Sequence, residues 1–262
     1  MSRIRPPAVA GAFYPDDPAE LAAMIDAFLA QADADGPAPK ALIAPHAGYV
    51  YSGPIAANAY APLRSKAGEI KRVVLLGPSH RVPFRGIAAP TVDYFRTPLG
   101  DIPIDKAAIQ AIADLPQVSL RDDAHAWEHS LEVHLPFLQR VLGDTFTLVP
   151  LVVGDATYEE VEEVLNRLWD GDETLIVISS DLSHYHDYVT ARRLDTATSA
   201  AIEALDPYAI DYEQACGRIP VGGLLLAARD HGLHARTIDL RNSGDTAGPK
   251  DQVVGYGAYA FA

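Results

Sequence analysis

Four short apolar runs constrain this chain more than any other feature: ALIAP at 41–45, RVVLLG at 72–77, FTLVPLVVG at 146–154 and TLIVISS at 174–180. A strand with one face in water alternates polar and apolar residues. These runs do not alternate, and they are rich in β-branched residues, so they read as strands buried on both faces, as in a largely parallel sheet covered by helices. Between them lie segments with helical spacing. DPAELAAMIDAFLAQADA from Asp17 has an aspartate at the N-cap and Pro18 at the first helical position. Further helices are expected near IAANAYAPLRS, DKAAIQAIADL, SLEVHLPFLQRVL, TYEEVEEVLNRLWDG, Tyr188 to Leu205, and GGLLLAARDHG. HAGYVYSGP and RDDAHAWEH read as turn or loop, GIAAP and TVDYFRTPLGDIPID as short, partly exposed strands, and ARTIDL and QVVGYGAYAFA as two late strands. The expectation is a layered α/β fold, with a central, mostly parallel sheet flanked by helices, in a single domain over 1–262.

Composition narrows the partners. The chain has 262 residues and a formal charge of −14, with a pI near 4.9. A surface that acidic repels phosphate backbones and anionic lipid, so neither nucleic acid nor membrane is an expected partner. No apolar stretch approaches the length of a bilayer span, and the N-terminal segment has no long apolar core, so no signal peptide is read there. The single cysteine, Cys216, makes no internal disulfide and fits a reducing cytoplasm.

The residues at the ends of the apolar runs suggest a function. ALIAPH ends at His46, RVVLLGPSH at His80, TLIVISSDLSH carries Asp181 and His184, and ARTIDLRNSGD carries Asn242, Ser243 and Asp245. Neighbouring parallel strands gather their carboxyl ends on one edge, where open α/β sheets build their sites. A lone histidine at a strand end is usually a hydrogen-bonded structural group. Two of them begin a zinc- or iron-type site. If the chain is helical after Asp181, that carboxylate shares a face with His184 and orients its ring; His186 then reads as a surface residue. In HAWEHSLEVHLPF, His125 and His129 have ligand spacing only on a helix. With Ser130 as a helix start, Glu128 and Glu132 lie near the positive helix end, where carboxylates are favoured; His129 and Glu132 divide evenly between structural and functional readings, and His134 leans to function. Cys216, in ACGRIP, reads as a small buried apolar residue in preference to a catalytic thiolate. There is no GxSxG, Walker or GxGxxG motif, so hydrolase, nucleotide and dinucleotide readings lose their support.

AGAFYP, PHAGYVYSG, LGPSHRVP, EHSLEVHLPF, SSDLSHY, CGRIP and the closing SGD…VVGYGAYA together resemble the MEMO family, whose prokaryotic members are called AmmeMemoRadiSam system protein B. The resemblance covers essentially the whole chain. It implies a fold similar to the class III, LigB-type extradiol ring-cleaving dioxygenases, which hold a non-haem Fe(II) with two histidines and a carboxylate and use a histidine as acid–base. On that resemblance His46 and His80 match the metal ligands, while Asp181 and His184 match the acidic and imidazole groups beside the metal. Animal members place a cysteine in the late loop, where this chain reads NSGDT. Counting back from the terminal strand puts that position near Thr246, and Asp245 beside it would complete a two-histidine, one-carboxylate triad.

The resulting expectation is a dioxygenase-like redox enzyme acting on a small aromatic or enol-like molecule. Its metal would be Fe(II), with copper or zinc as alternatives, bound by His46, His80 and Asp245. His184, Asp181 and His134 would move protons. The alternative is a metal- or peptide-binding scaffold, since animal members bind phosphotyrosine peptides and sequester iron or copper. The family name also implies radical-SAM and AMMECR1-like protein partners; this chain lacks the cysteine cluster for radical chemistry of its own.

Overall fold

The computed structural model of the chain describes residues 2–33 and 36–262. The four apolar runs lie side by side at the centre of one sheet, all parallel, in the order Ala41–Ala44, Thr174–Ser179, Arg72–Pro78, Thr147–Val153. The first two are buried along their whole length and the others at every residue but the first. Burial on both faces favours apolar side chains at successive positions, with polar ones confined to the strand ends, which is why the runs do not alternate.

The flanks differ from the expected parallel arrangement. Val253–Phe261 runs antiparallel to Ala41–Ala44 and also pairs antiparallel with Ala235–Asn242 and His184–His186. On the far side, Ile87–Ala89 is antiparallel to Thr147–Val153 and parallel to Val118–Leu120. The nine-stranded sheet therefore has four parallel and four antiparallel pairings and is mixed. Connection length explains the late strands: a parallel return needs a crossover of about a dozen residues or more, usually helical. Only residues 243–252 separate Asn242 from Val253. Because Ala235–Asn242 is antiparallel to a strand that is itself antiparallel to Ala41–Ala44, its carboxyl end still points to the same edge as His46. Ile4–Arg5, Tyr94–Thr97 and Gly100–Pro103 form a separate three-stranded sheet.

The helix at Pro18–Gln31 starts as its sequence requires, with Asp17 accepting from the amides of Ala19 and Glu20. Thr157 and Glu160 close a capping box on Tyr158–Arg167. Three boundaries differ. The segment after His46 is not a turn but a helix, Tyr49–Tyr60, with Pro54 inside it, and a 3-10 turn at Ala61–Lys66 continues it. Its tight contact with the first helix selects Gly53, where a Cβ would fall 2.5 Å from Phe28. The expected helix over SLEVHLPFLQRVL is a 3-10 turn at Glu132–His134 followed by Leu135–Leu142, and the polar stretch before it contains a short helix, Asp122–Ala126. Among the described residues no helix is long and apolar enough to cross a membrane.

Candidate metal centre

Strand register delivers the site. Ala44 pairs with Ser179 across the two central strands, so His46 and Asp181 emerge two residues beyond the same rung. Pro78, at the end of the next strand along, leads to His80. A cavity of about 940 Å³ opens there, within the size range of small-molecule sites. His46, His80, His129, Asp181, His184 and Cys216 contribute to its wall.

Hydrogen bonds fix which nitrogen of each ring faces outward. His46 Nδ1 is 2.6 Å from Ser179 Oγ, and that hydroxyl donates its one hydrogen to the Ser130 carbonyl, also at 2.6 Å. Ser179 must therefore accept from His46 Nδ1–H, which leaves the lone pair on Nε2, facing the Cys216 thiol at 3.4 Å. His80 Nδ1 is 2.9 Å from the Glu128 carboxylate, which can only accept, so in the neutral ring the lone pair again lies on Nε2. His184 Nδ1 donates to the Leu182 carbonyl at 2.8 Å, with the same result. Tying Nδ1–H to an acceptor while Nε2 stays open is how metal-binding histidines are oriented.

The rings of His46 and His80 are 5.1 Å apart, centre to centre, and His129 stacks on His80 at 4.7 Å. His46 is held neutral because burial depresses its pKa, and the neighbouring imidazoles add to the effect. Burial likewise pushes His129 down to about 4, against the pull of Glu128. For Glu128, burial works the other way, but hydrogen bonds from His80 and the Ser130 amide outweigh it and hold the carboxyl at about 2. Asp181 is raised to about 7 by burial, and the Cys216 thiol to about 12 by burial and the adjacent Asp181.

Several expected roles change. The segment after Asp181 is not helical; His184 begins the strand His184–His186. Asp181 therefore does not orient His184. It accepts instead from the backbone amide of His46 at 2.8 Å, with its other oxygen 4.0 Å from His46 Nε2. His134 is fully buried behind the site, its Nδ1 2.7 Å from Tyr60 Oη and its Nε2 without a partner, and it does not line the cavity. The histidine of that segment that reaches the cavity is His129.

Asp245 is at the expected edge, but its carboxylate faces its own loop. One oxygen accepts from Tyr188 Oη at 2.6 Å and the other from the Asn242 amide at 3.0 Å, closing a capping box on the turn Ser243–Asp245. It lies outside the group of convergent donors. That group is His46, His80 and Cys216, whose donor atoms all lie within 4.8 Å of one another. Cys216, which its sequence context presents as a small buried apolar residue, sets its Sγ 3.4 Å from His46 Nε2. Nothing in ACGRIP gives strand or ligand spacing to reveal this. A second group, His80, Glu128 and His129, is equally close, but Glu128 already accepts from His80 Nδ1 and from the amides of His80, His129 and Ser130. Its work is to hold the loop and the His80 ring.

Known proteins share this sequence over nearly its full length. The sequence model described as Memo-like protein matches residues 5–260. A MEMO1 family protein of Aquifex aeolicus is 38% identical over 265 residues, covering 97% of each chain. One from Aeropyrum pernix is 38% identical over 280 residues, covering 98% of this chain and 99% of its own. Among solved structures, an uncharacterised Escherichia coli K12 protein superposes with a TM-score of 0.53 at 14% identity, over 84% of this chain and 98% of that one; a likeness at that identity speaks to the fold alone. With a match from Arg5 to Ala260 and relatives aligned end to end, the chain belongs to the Memo-like protein family.

Proposed function

We propose that this protein is a metal-dependent, dioxygenase-like redox enzyme that binds its metal through His46 and His80 and acts on a small aromatic or enol-like molecule. One observation carries the reading: two neighbouring imidazoles open on one cavity, each with its Nδ1 hydrogen already committed to Ser179 or Glu128. Two lone pairs fixed in that way have a cation as their natural partner. Fe(II) bound there would supply redox chemistry and open coordination positions for a substrate and for O₂, and copper suits imidazole donors as well.

The surrounding residues fit a planar, weakly charged substrate. Phe13, Tyr51 and Tyr256 line the cavity, and among its described lining residues there is no lysine or arginine to receive a phosphate. His184 offers Nε2 as the acceptor for a substrate hydroxyl proton, because its Nδ1–H is tied to Leu182. Asp181 holds the backbone of His46 and so keeps that ring at the strand end.

The test is anaerobic loading with Fe(II), elemental analysis, and oxygen uptake with a panel of phenols, catechols and indoles. His46→Ala and His80→Ala are expected to lose bound metal, and His184→Gln to retain metal while losing turnover. Intact iron binding with no oxygen uptake across the panel would sink the oxygenase chemistry and leave a metal-binding protein.

A further inference from the structure

We infer that the mouth of the cavity is built to hold a positive charge, so that the molecule it takes is a small arylalkylamine whose protonated amine lies among Tyr51, Tyr185, Tyr212 and Glu213. The assignment rests on the reading above that an aromatic ring enters this cavity, and adds the charge carried on that ring's side chain.

The backbone at Tyr185 is the first observation. His184 pairs with Val254 and His186 with Val253, so Tyr185 between them is the extra residue of a β-bulge. Its φ of 63° lies in the left-handed region, which a bulky side chain rarely adopts and which costs conformational energy. The outcome of that distortion is a phenol ring 72% exposed on the wall of the cavity. Neither burial nor backbone preference rewards this placement. Contact with a ligand is what the bulge serves, as bulges beside functional sites re-aim a side chain.

The second observation is what surrounds that ring. Tyr51, 39% exposed, and Tyr212, 80% exposed, line the same cavity. The face of an aromatic ring carries the negative part of its quadrupole and attracts a cation. Glu213 is exposed, lines the cavity, and has no hydrogen bond or ion pair of its own among the described residues.

Charge is also sorted between neighbouring hollows. The described lining of this cavity has no lysine or arginine, whereas Arg85 and Arg218 line a second hollow that meets it at Tyr212 and Cys216. Arg218 is already committed, its guanidinium 5.6 Å from the Tyr212 ring centre and its Nη1 3.2 Å from Tyr158 Oη. An anionic tail would find no cationic side chain on the cavity wall and would face Glu213. The chain's charge of −14 favours cations at long range as well. An ammonium group loses least hydration at the mouth, so the ring enters first and the charge stays outside.

Tyramine, 4-propylphenol and 3-(4-hydroxyphenyl)propionate have nearly the same shape and differ in charge. Each is titrated anaerobically into the intact protein by calorimetry at neutral pH. Tyramine is expected to bind about tenfold more tightly than 4-propylphenol, and the propionate most weakly. Glu213→Gln and Tyr185→Gly are each expected to weaken tyramine about two- to fivefold and to change 4-propylphenol little. Glycine tolerates the left-handed backbone, so Tyr185→Gly is expected to unfold close to the wild-type temperature; a tyrosine with only a structural role would lower stability and the binding of all three compounds. Equal affinity for the three, or a preference for the propionate, overturns the charge assignment and leaves the aromatic-ligand reading intact. A wild-type preference for tyramine in both variants overturns the assignment to this rim. Binding of none of the three overturns the aromatic-ligand reading and the charge assignment together.

Discussion

Three residues outside the proposed ligand pair orient its rings: Ser179 and Glu128 through their side chains and Ser130 through its backbone carbonyl. Ser179 spends its hydrogen on the Ser130 carbonyl, and that choice puts the proton of His46 on Nδ1. Glu128 does the same for His80 and pins three backbone amides as well. Glu128→Gln presents an oxygen or an N–H₂ where two oxygens now accept. Losing such an orienting partner typically weakens metal binding about 10–100-fold, so equilibrium dialysis with Co(II) is expected to show a drop in that range with the fold retained. An unchanged affinity would mean that the His80 ring is oriented by something else. At this scale the sequence is partly legible. His46, His80 and Asp181 declare themselves because each lies just beyond an apolar strand, and parallel strands end together. Asp245 misleads because its carboxylate is used by its own turn; Asn242 and Asp245, three apart, are the capping pair that turn requires. Cys216 is illegible because it arrives through a loop whose position depends on the Asp181 carbonyl, a contact with no local pattern.

Among the elements, the pairing of Tyr158–Arg167 with Arg218–Asp230 sets how the Cys216 loop is aimed, since the second helix begins two residues after that cysteine. Their close approach depends on two glycines. A Cβ at Gly223 would lie 2.3 Å from Val161 Cγ1, and one at Gly222 the same distance from Tyr158 Cδ1. Glycine to alanine within an exposed helix gains about 1 kcal/mol of helix propensity. Here the sign is expected to reverse: Gly223→Ala forces the helices apart and costs about 1–3 kcal/mol through overpacking. Urea unfolding measures it, and a stabilised variant would refute the contact. Helices and central strands are legible from period and caps. The pairing direction of the flanking strands is not, because it depends on the length of a loop and the absence of a crossover helix. The helix Tyr49–Tyr60 escapes a sequence reading because Gly48, Gly53 and Pro54 resemble a turn; tertiary packing against Phe28 overrides their weak propensity.

Across the whole molecule, buried neutral histidines couple folding to pH. His125 is 2% exposed and donates through Nε2 to the Ala88 carbonyl at 3.0 Å; burial lowers its pKa from 6.5 to about 4. His134, also buried, falls to about 3. Below about pH 6.5 these rings protonate in the unfolded chain but stay neutral in the folded one. The unfolded state then binds more protons, and stability falls as pH falls, until the folded pKa is passed. For His125 the loss between pH 6.5 and 4 is roughly 3 kcal/mol at 1.36 kcal/mol per unit. His125→Gln, which keeps a donor near the Ala88 carbonyl, is expected to flatten the acid limb of the stability curve by about that amount, read by urea unfolding at stepped pH. An acid limb as steep as wild type would place the coupling in other groups.

Val253–Phe261 has a position in the sheet at odds with its position in the chain. It follows all of its partners in the chain, yet Ala41–Ala44, His184–His186 and Ala235–Asn242 all pair with it. The four central strands can therefore pair with one another before Val253–Phe261 is made, but the segment holding His184 has no rung to dock on until that strand follows. A chain that stops short of Val253 can still pair its four central strands but lacks the rung on which the His184 segment docks, so that wall of the cavity is among the later parts of the fold to form.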